Sequence, residues 1–357
     1  MTKKIYILGI ISLLKITSLY GENPSMQVNL NTSHIYEQLG DYAKALELAR
    51  KYDETSSLIE PLEKSLLNLG CSRLIFDENH QPRVKLIQLL EIVGMPSLEN
   101  SENPIFQIND WAQKNLLRQG ERWEEQTLKF EKLKSQIKPI LSDLGFIEST
   151  TSHFTTYQGA LVHGGLLSRV RLRLNYLTLE WNRGVRFQDL YFLGGERSLD
   201  AQQENKDLLI QDPASVLKIR KDWKAPKELP KTENEMIQLV WEQSEIPEDM
   251  RKQVTVHFIN APMKKDPKSN NLLRPTTDDT IEMWVKSSPP YGRYLAVTNA
   301  PYINRQDVVI RTVAPTEYGF DTIGPGAREQ EKMVIILDEL ARLIFQTKQL
   351  AAKNGKN

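Results

Sequence analysis

Residues 160–165 read Ala-Leu-Val-His-Gly-Gly, and they decide the fold of the second half of the chain. A short apolar run that ends in paired glycines is typical of a buried parallel strand followed by a tight turn. The next residues, from about Leu167 to Trp181, have helical periodicity and stop near Gly184. Strand, glycine turn and helix together form the first unit of an alternating β/α pattern.

Four further apolar runs continue this alternation. They cover residues 190–193, 254–259, 294–298 and 320–323, and helical segments lie between or after them. One of these helices starts at Thr232, where Thr232 and Glu235 have the spacing of a capping box. The sequence therefore predicts an α/β fold with a doubly wound, mostly parallel, five-stranded Rossmann-like sheet.

The first half of the chain predicts helices instead. Apolar residues recur at helical spacing over most of residues 34–144, and the last segment predicts one long charged helix from Arg118 to Leu144. Residues 148–156 are rich in Ser and Thr, which is typical of a linker. We therefore predict an all-α domain over 22–150, a Rossmann-like domain over 151–350 that folds independently from about residue 155, and a disordered tail over 351–357.

The N-terminus has the pattern of a secretory signal. Lys3 and Lys4 precede the apolar run 5–14, and Gly21 stands where cleavage would occur. We predict that residues 1–21 are a signal peptide and that the protein is periplasmic or secreted; the alternative is a buried N-terminal helix or strand of a cytoplasmic protein. No other segment is long and apolar enough to cross a membrane, so we expect no transmembrane span after signal removal.

Composition excludes several classes of function. Lys+Arg and Asp+Glu are both 46, and this zero net charge argues against a broad nucleic-acid surface. The single cysteine, Cys71, excludes an intrachain disulfide framework and a Cys-rich metal site, and the histidines have no metal-ligand spacing. Neither a dinucleotide-binding fingerprint nor a Walker A motif is present, so the sequence assigns no cofactor and predicts no metal site.

Small or polar residues directly follow the predicted strands, where ligands bind in doubly wound sheets. They are Gly164-Gly165, Gly194-Gly195, Thr298-Asn299 and Gly324-Pro325-Gly326. Backbone N–H groups at the start of the next helix suit an anion, and Arg169 lies one turn into that helix, where its guanidinium can pair with a phosphate. Arg171 and Arg173 are expected to be solvated.

The order of these motifs resembles the YdcF/SanA/ElyC-like family, a bacterial Rossmann-like family of largely unknown function with several members tied to the cell envelope. The resemblance covers about residues 157–346. It implies that the ligand-binding residues are Gly164, Gly165, Arg169, Gly194, Gly195, Glu233, Thr277, Thr298, Asn299, Tyr302 and Arg305. The chain departs from the family pattern where Leu193 replaces Ser, Asp279 replaces Glu, Thr280 replaces Asn and Tyr302 replaces His.

Three side chains are candidates for catalysis. His163 is a candidate general base, with a purely local hydrogen bond as the alternative. Glu233 and Asp279 are candidates for acid–base chemistry or for binding ribose hydroxyls or a metal, and complementing a helix dipole is their alternative role. Tyr302 is a poor general base, because tyrosine titrates near pH ~10.

Two functions remain open at this level. In the first, an envelope-associated protein binds a nucleotide-like or phosphorylated small molecule and acts on a cell-envelope precursor by phosphoryl-ester chemistry. In the second, the chain is a non-catalytic interaction module whose helical domain binds a protein partner and whose α/β domain is degenerate. Convergence of Arg169, Glu233 and Arg305 on one open pocket would favour the first.

Overall fold

The computed structural model describes residues 42–52, 59–70, 74–77, 79–98, 103–118, 128–267, 269 and 271–354. The predicted signal peptide over 1–21 lies outside the described residues. The chain forms two compact units, residues 1–66 and residues 67–357.

The described residues of the first unit are helical, as the apolar spacing predicts. It contains α1 (Tyr42–Tyr52) and most of α2 (Ile59–Leu69). Leu46 on α1 and Leu62 on α2 are buried, and an ion pair joins Arg50 to Glu63.

Three more helices precede the sheet: α3 (Val84–Ile92), α4 (Pro104–Asn115) and α5 (Lys134–Asp143). The predicted helix from Arg118 to Leu144 is therefore wrong in its described first part. Among its described residues, only Lys134–Asp143 forms an α-helix, after a short 3₁₀ turn at Glu131–Leu133. Phe130 has a φ of 74°, a left-handed conformation that an α-helix cannot continue through.

Helix α4 is absent from the sequence-based prediction. Its signals are Pro104 at the first helical turn and buried apolar residues at Ile105, Ile108 and Ala112, spaced three and four residues apart.

The main sheet confirms the predicted fold class. Its strands are β1 (Gly159–His163), β2 (Asp189–Gly195), β3 (Thr255–Ala261), β6 (Gly292–Val297) and β7 (Tyr318–Ile323). They are all parallel and lie in the order β3-β2-β1-β6-β7. A small hairpin, β4 (Lys264–Lys265) and β5 (Leu272–Leu273), lies outside this sheet.

Helices cover both faces of the sheet. The described helices that follow β1 in the chain are α6 (Leu167–Asn182), α7 (Lys206–Ile210), α8 (Glu233–Gln243), α9 (Glu248–Gln253), α10 (Thr277–Lys286), α11 (Ile303–Val313) and α12 (Met333–Asn354). Neighbouring strand residues point to opposite faces. Tyr191 accordingly meets Trp284 of α10, whereas Phe192 meets Trp241 of α8. The capping box of Thr232 and Glu235 forms as predicted and starts α8.

The helices before the sheet share one hydrophobic core with the last helices of the chain. Ile108, Leu141 and Phe146 are buried in the same cluster as Val308 of α11 and Leu337 of α12. The boundary predicted near residue 150 thus falls inside the second compact unit.

The predicted linker over 148–156 is held in place by backbone pairing. Thr150 exchanges two backbone hydrogen bonds with Gly324, and Tyr157 donates its N–H to the Arg186 carbonyl. Ser/Thr-rich composition indicates a loop here, but its backbone donors and acceptors are used within the fold.

Helix α12 extends to Asn354, so residues 351–354 are helical instead of part of a disordered tail, and 355–357 lie outside the described residues. No helix in the described part of the chain combines the length and hydropathy needed to cross a bilayer.

Candidate functional site

A cleft of about 960 Å³ opens where the chain reverses its winding direction. Strands β1 and β6 are neighbours, but β1 leads on to β2 on one side and β6 leads on to β7 on the other. The crevice outside the carboxyl ends of such a strand pair is where doubly wound sheets bind ligands. His163, at the end of β1, and Tyr302, after β6, both line it.

The structure brings most of the predicted site residues together. The predicted residues that line the cleft are His163, Gly164, Gly165, Arg169, Glu233, Thr277, Tyr302 and Arg305. Arg169 comes from α6, Glu233 from α8 and Arg305 from α11, so three separate helices deliver charged groups to one place.

Gly194, Gly195, Thr298 and Asn299 do not line the cleft. A side chain at Gly194 would lie 2.7 Å from the Ile237 Cδ1 atom, so this glycine serves the close packing of α8 on β2. Thr298 donates its hydroxyl to the Gln306 side chain. Asn299 is buried and accepts a hydrogen bond of 3.0 Å from Arg173 Nε, which makes it a support for a cleft residue.

Asp279 likewise lies away from the cleft and caps a helix. Its Oδ2 atom accepts hydrogen bonds from the Thr276 N–H at 2.8 Å and hydroxyl at 2.9 Å, and Lys264 forms an ion pair with Oδ1. Its neighbour Asp278 lines the cleft instead, and burial raises the pKa of Asp278. Sequence spacing alone does not distinguish these adjacent carboxylates.

Arg173 is a central residue of the cleft, although the sequence predicted that it is solvated. It is only 4% exposed, and its Nη1 atom donates to the carbonyls of His163, at 2.9 Å, and Gly164. The pKa of Arg173 is lowered to about 9, chiefly by burial; the charges of Arg169 and Arg305 also lower it, whereas Tyr302 and Glu233 raise it.

Arg171 is also buried, and the prediction of a solvated side chain is wrong for it as well. Its Nη1 atom donates to Asp212 at 3.1 Å and to the Leu208 carbonyl at 3.0 Å. Both partners lie about forty positions further along the chain, so the sequence around Arg171 does not indicate that its side chain is buried.

Backbone N–H groups of the β1 turn already have partners within the protein. The Gly164 N–H donates to the Leu193 carbonyl at 2.8 Å, the Leu167 N–H donates to Glu204 Oε1 at 3.1 Å, and the Gly165 N–H lies beside Glu233 and lowers its pKa. A side chain at Gly164 would lie 2.6 Å from Glu233 Oε1, so glycine is required for this close approach. Because these amides already have partners, the arginines are the groups of the cleft best placed to bind an anion.

Arg197 fixes this arrangement and was not singled out from the sequence. Its Nη1 and Nη2 atoms donate to the two oxygens of Glu204, at 2.7 Å and 3.0 Å. Nη2 also donates to the Gly165 carbonyl at 3.0 Å, and Nε lies 3.7 Å from Glu233 Oε2. Burial raises the pKa of Glu233, although Arg197 and the Gly165 N–H lower it.

Cationic side chains outnumber carboxylates around the cleft. The lining cations are Arg169, Arg173, Arg197, Arg274, Arg305, Arg328, Arg342 and Lys332, and the lining carboxylates are Glu233, Asp278 and Glu331. Three further carboxylates, Glu204, Asp338 and Glu339, pair with Arg197, Arg342 and Arg305. The excess of positive charge is typical of a site for an anion.

Tyr302 supports the outer part of the cleft. The Arg169 guanidinium lies 5.6 Å from the centre of the Tyr302 ring, and its Nη2 atom lies 3.6 Å from Glu331 Oε2. Arg169 remains 17% exposed, so solvent reaches its guanidinium.

His163 is buried beside this charge, and its Nε2 atom has no hydrogen-bond partner among the described residues. Burial holds the pKa of His163 well below its ordinary value, and the positive charges of Arg173 and Arg305 lower it further. The imidazole is therefore neutral at neutral pH.

The described residues contain no group of three His, Cys, Asp or Glu side chains that could hold a metal ion. Comparisons with protein-family models, with curated proteins and with solved structures find no match to this chain.

Proposed function

We propose that this chain binds a phosphorylated or nucleotide-like small molecule in the cleft between β1 and β6. The observation that carries the proposal is the convergence of Arg169, Arg173 and Arg305 on one cleft at the topological switch point of the sheet. Guanidinium groups bind phosphate oxygens with strong, charge-assisted hydrogen bonds.

We further propose a role in the cell envelope, within the YdcF/SanA/ElyC-like family. The motif order over 157–346 and the signal-like N-terminus support this location. Action on a phosphorylated envelope precursor would use the polar groups that reach the cleft, with Glu233 and His163 as the titratable candidates.

Ligand-dependent melting of the full chain tests the proposal. An anion that binds only the folded state at a hundred times its Kd stabilises that state by about 2.7 kcal/mol, which raises the melting temperature by roughly 4 °C for a chain of this length. Phosphate, sulfate and nucleoside phosphates are the probes. The shift should shrink strongly in Arg169→Ala.

Arg183→Ala is the matched control. Arg183 lies at the end of the same helix, pairs with Glu180 at 2.7 Å and is half exposed outside the cleft. It should keep the full shift. Equal melting temperatures with and without every anion would reject the binding site.

The second function, a non-catalytic interaction module, is favoured by one observation. The β1-turn amides that would hold a phosphate already have partners within the protein. In that case the helices would contact a protein partner and no small anion would stabilise the fold.

A further inference from the structure

Phe345 is an exposed aromatic ring in a cleft whose other side chains are mostly polar or charged. It lies on α12, is 36% exposed and lines the cleft. Among the large apolar side chains that are exposed in the described part of the chain, it is the only one that lines this cleft. Ligand pockets use such rings to bind the apolar or aromatic part of a ligand, so Phe345 indicates a ligand with more than a phosphate group.

Helix α12 connects this ring to the arginines. Ile335, Arg342 and Phe345 of α12 all line the cleft, so the cleft follows one face of this helix. Arg305 marks the cationic part, since its Nε atom lies 2.5 Å from Glu339. Phe345 follows Glu339 by six positions, which is about 9 Å along an α-helix. In a nucleotide, one ribose separates the base from the phosphate by a distance of the same order.

Two amide side chains line the same end of the cleft as Phe345. Gln346 is its neighbour on α12, and Gln113 reaches across from α4. Gln113 Nε2 donates to the Ala341 carbonyl at 2.8 Å, one helical turn before Phe345, which fixes this amide close to the ring.

The combination of ring and amides separates two kinds of ligand. A primary amide has both donor and acceptor atoms, and so does the polar edge of a nucleobase. The face of the base can stack on an aromatic side chain. A hydrocarbon chain would contact the ring but offers no group with which the amides could bond. A flat ring with a polar edge therefore fits this end of the cleft better.

We propose, on the basis of the proposed function, that the ligand is a nucleotide whose base stacks on Phe345 while its phosphate binds the arginines near His163. The polar edge of the base then meets the amides of Gln113 and Gln346. In this arrangement the arginines bind the phosphate that all phosphorylated ligands share, and Phe345 selects the nucleotides among them.

Calorimetric titration of the full chain with adenosine monophosphate and with ribose phosphate tests the base site. The two probes share the sugar and the phosphate and differ only in the base. We expect adenosine monophosphate to bind about tenfold more tightly, an effect typical of one base–aromatic stack. Hexyl phosphate, which carries an apolar chain in place of the sugar and base, should bind less tightly than adenosine monophosphate.

Phe345→Ala should reduce the affinity for adenosine monophosphate by about tenfold and leave the affinity for ribose phosphate unchanged. Phe345→Leu keeps an apolar side chain without an aromatic face and should lose most of the same preference. Phe106→Ala is the matched control. Phe106 is 53% exposed and lies 5.3 Å from Lys348 Nζ, which also lies 5.6 Å from the Phe345 ring, but Phe106 does not line the cleft. This variant should keep both affinities.

The outcomes distinguish this inference from the proposed function. Equal affinities for adenosine monophosphate and ribose phosphate, or a preference for the nucleotide that persists in Phe345→Ala, overturn the base site and leave the anion site intact. Tightest binding of hexyl phosphate also overturns it, because the ring would then serve a hydrocarbon chain. Failure of every phosphate to bind, inorganic phosphate included, overturns both proposals.

Discussion

Two buried polar clusters of this protein differ in how completely their groups are paired. In the first, which we call the Asp321 cluster, the carboxylate on β7 accepts hydrogen bonds from the His153 N–H at 2.8 Å and from the Tyr157 hydroxyl, and it contacts His153 Nδ1 at 2.6 Å. In the second, the His163 corner, Arg173 and Arg305 lie beside an imidazole whose Nε2 has no described partner.

This difference in pairing indicates a structural role for the Asp321 cluster and a binding role for the His163 corner. Burial alone would raise the pKa of Asp321, but His153 and the hydrogen bonds outweigh it and hold that pKa below its ordinary value. Asp321 is therefore stable as a charged group and ties the loop before β1 to β7. The His163 corner instead keeps one imidazole nitrogen without a described partner beside two guanidinium groups, as a site for an anion would.

Truncation gives the largest expected effect. A fragment that begins at residue 155 removes His153 from the Asp321 cluster and uncovers the face of α12 that Ile108, Leu141 and Phe146 cover. We expect no cooperative thermal transition from it, whereas residues 67–357, the whole second unit, should show one. A cooperative transition in the shorter fragment would support the boundary predicted near residue 150.

Asp321→Asn should destabilise the protein by about 3 kcal/mol, because it breaks a buried charged network and leaves a donor facing donors. Urea unfolding measures the change. Asp189→Asn is the matched control: Asp189 pairs with His257 at 2.8 Å near the surface and should cost less than about 1 kcal/mol. Equal losses of unfolding free energy in the two variants would contradict the claim that the buried Asp321 cluster contributes more stability than the exposed Asp189–His257 pair.

Acidification should weaken the fold through His163. Its pKa is lower in the folded than in the unfolded chain, so the unfolded chain binds the extra proton as the pH falls below about 6.5. The free energy of unfolding then drops by up to about 1.4 kcal/mol per pH unit in this window. His163→Gln should lose that part of the slope and His257→Gln should keep it. Asp321, whose folded pKa is also lowered, contributes its loss at more acidic pH.

His163→Leu should have the smallest effect on stability. Replacing a buried nitrogen that has no partner by an apolar group is neutral or stabilises by up to about 1 kcal/mol. Urea unfolding at neutral pH measures it, and anion binding should weaken in the same variant. A loss of several kcal/mol would mean that Nε2 is paired in the folded protein and that the two clusters are alike.

The sequence predicted the sheet well because its signals are local. Continuous apolar runs such as 160–163 and 294–297 mark strands buried on both faces, and the Thr232–Glu235 capping box marks a helix start. The prediction failed where the decisive contact is distant. The alternation of Arg169, Arg171 and Arg173 says nothing about which side of α6 is covered, and the covering groups come from Asp212 and Asn299.

The same limit applies to the site. The glycine turn after β1 and the charges of Arg169 and Arg305 followed from position at the strand ends, since parallel strands bring their carboxyl ends to one edge, and Glu233 followed from the family resemblance. Occupation of the turn by Glu204 and Glu233 did not follow, because those carboxylates reach it across 37 and 68 positions of the chain.

By itself, then, the sequence determined the α/β class, the alternation of parallel strands with helices, and the edge of the sheet at which charged residues gather. These features follow from hydrophobic periodicity and turn residues, whose effects extend over only a few positions of the chain. Only the tertiary structure decided which of these groups are paired, that Arg173 is buried beside a neutral His163, and that the helices before residue 150 share a core with α12. Pairing and burial depend on neighbours in space, and in this chain those neighbours are far apart in sequence.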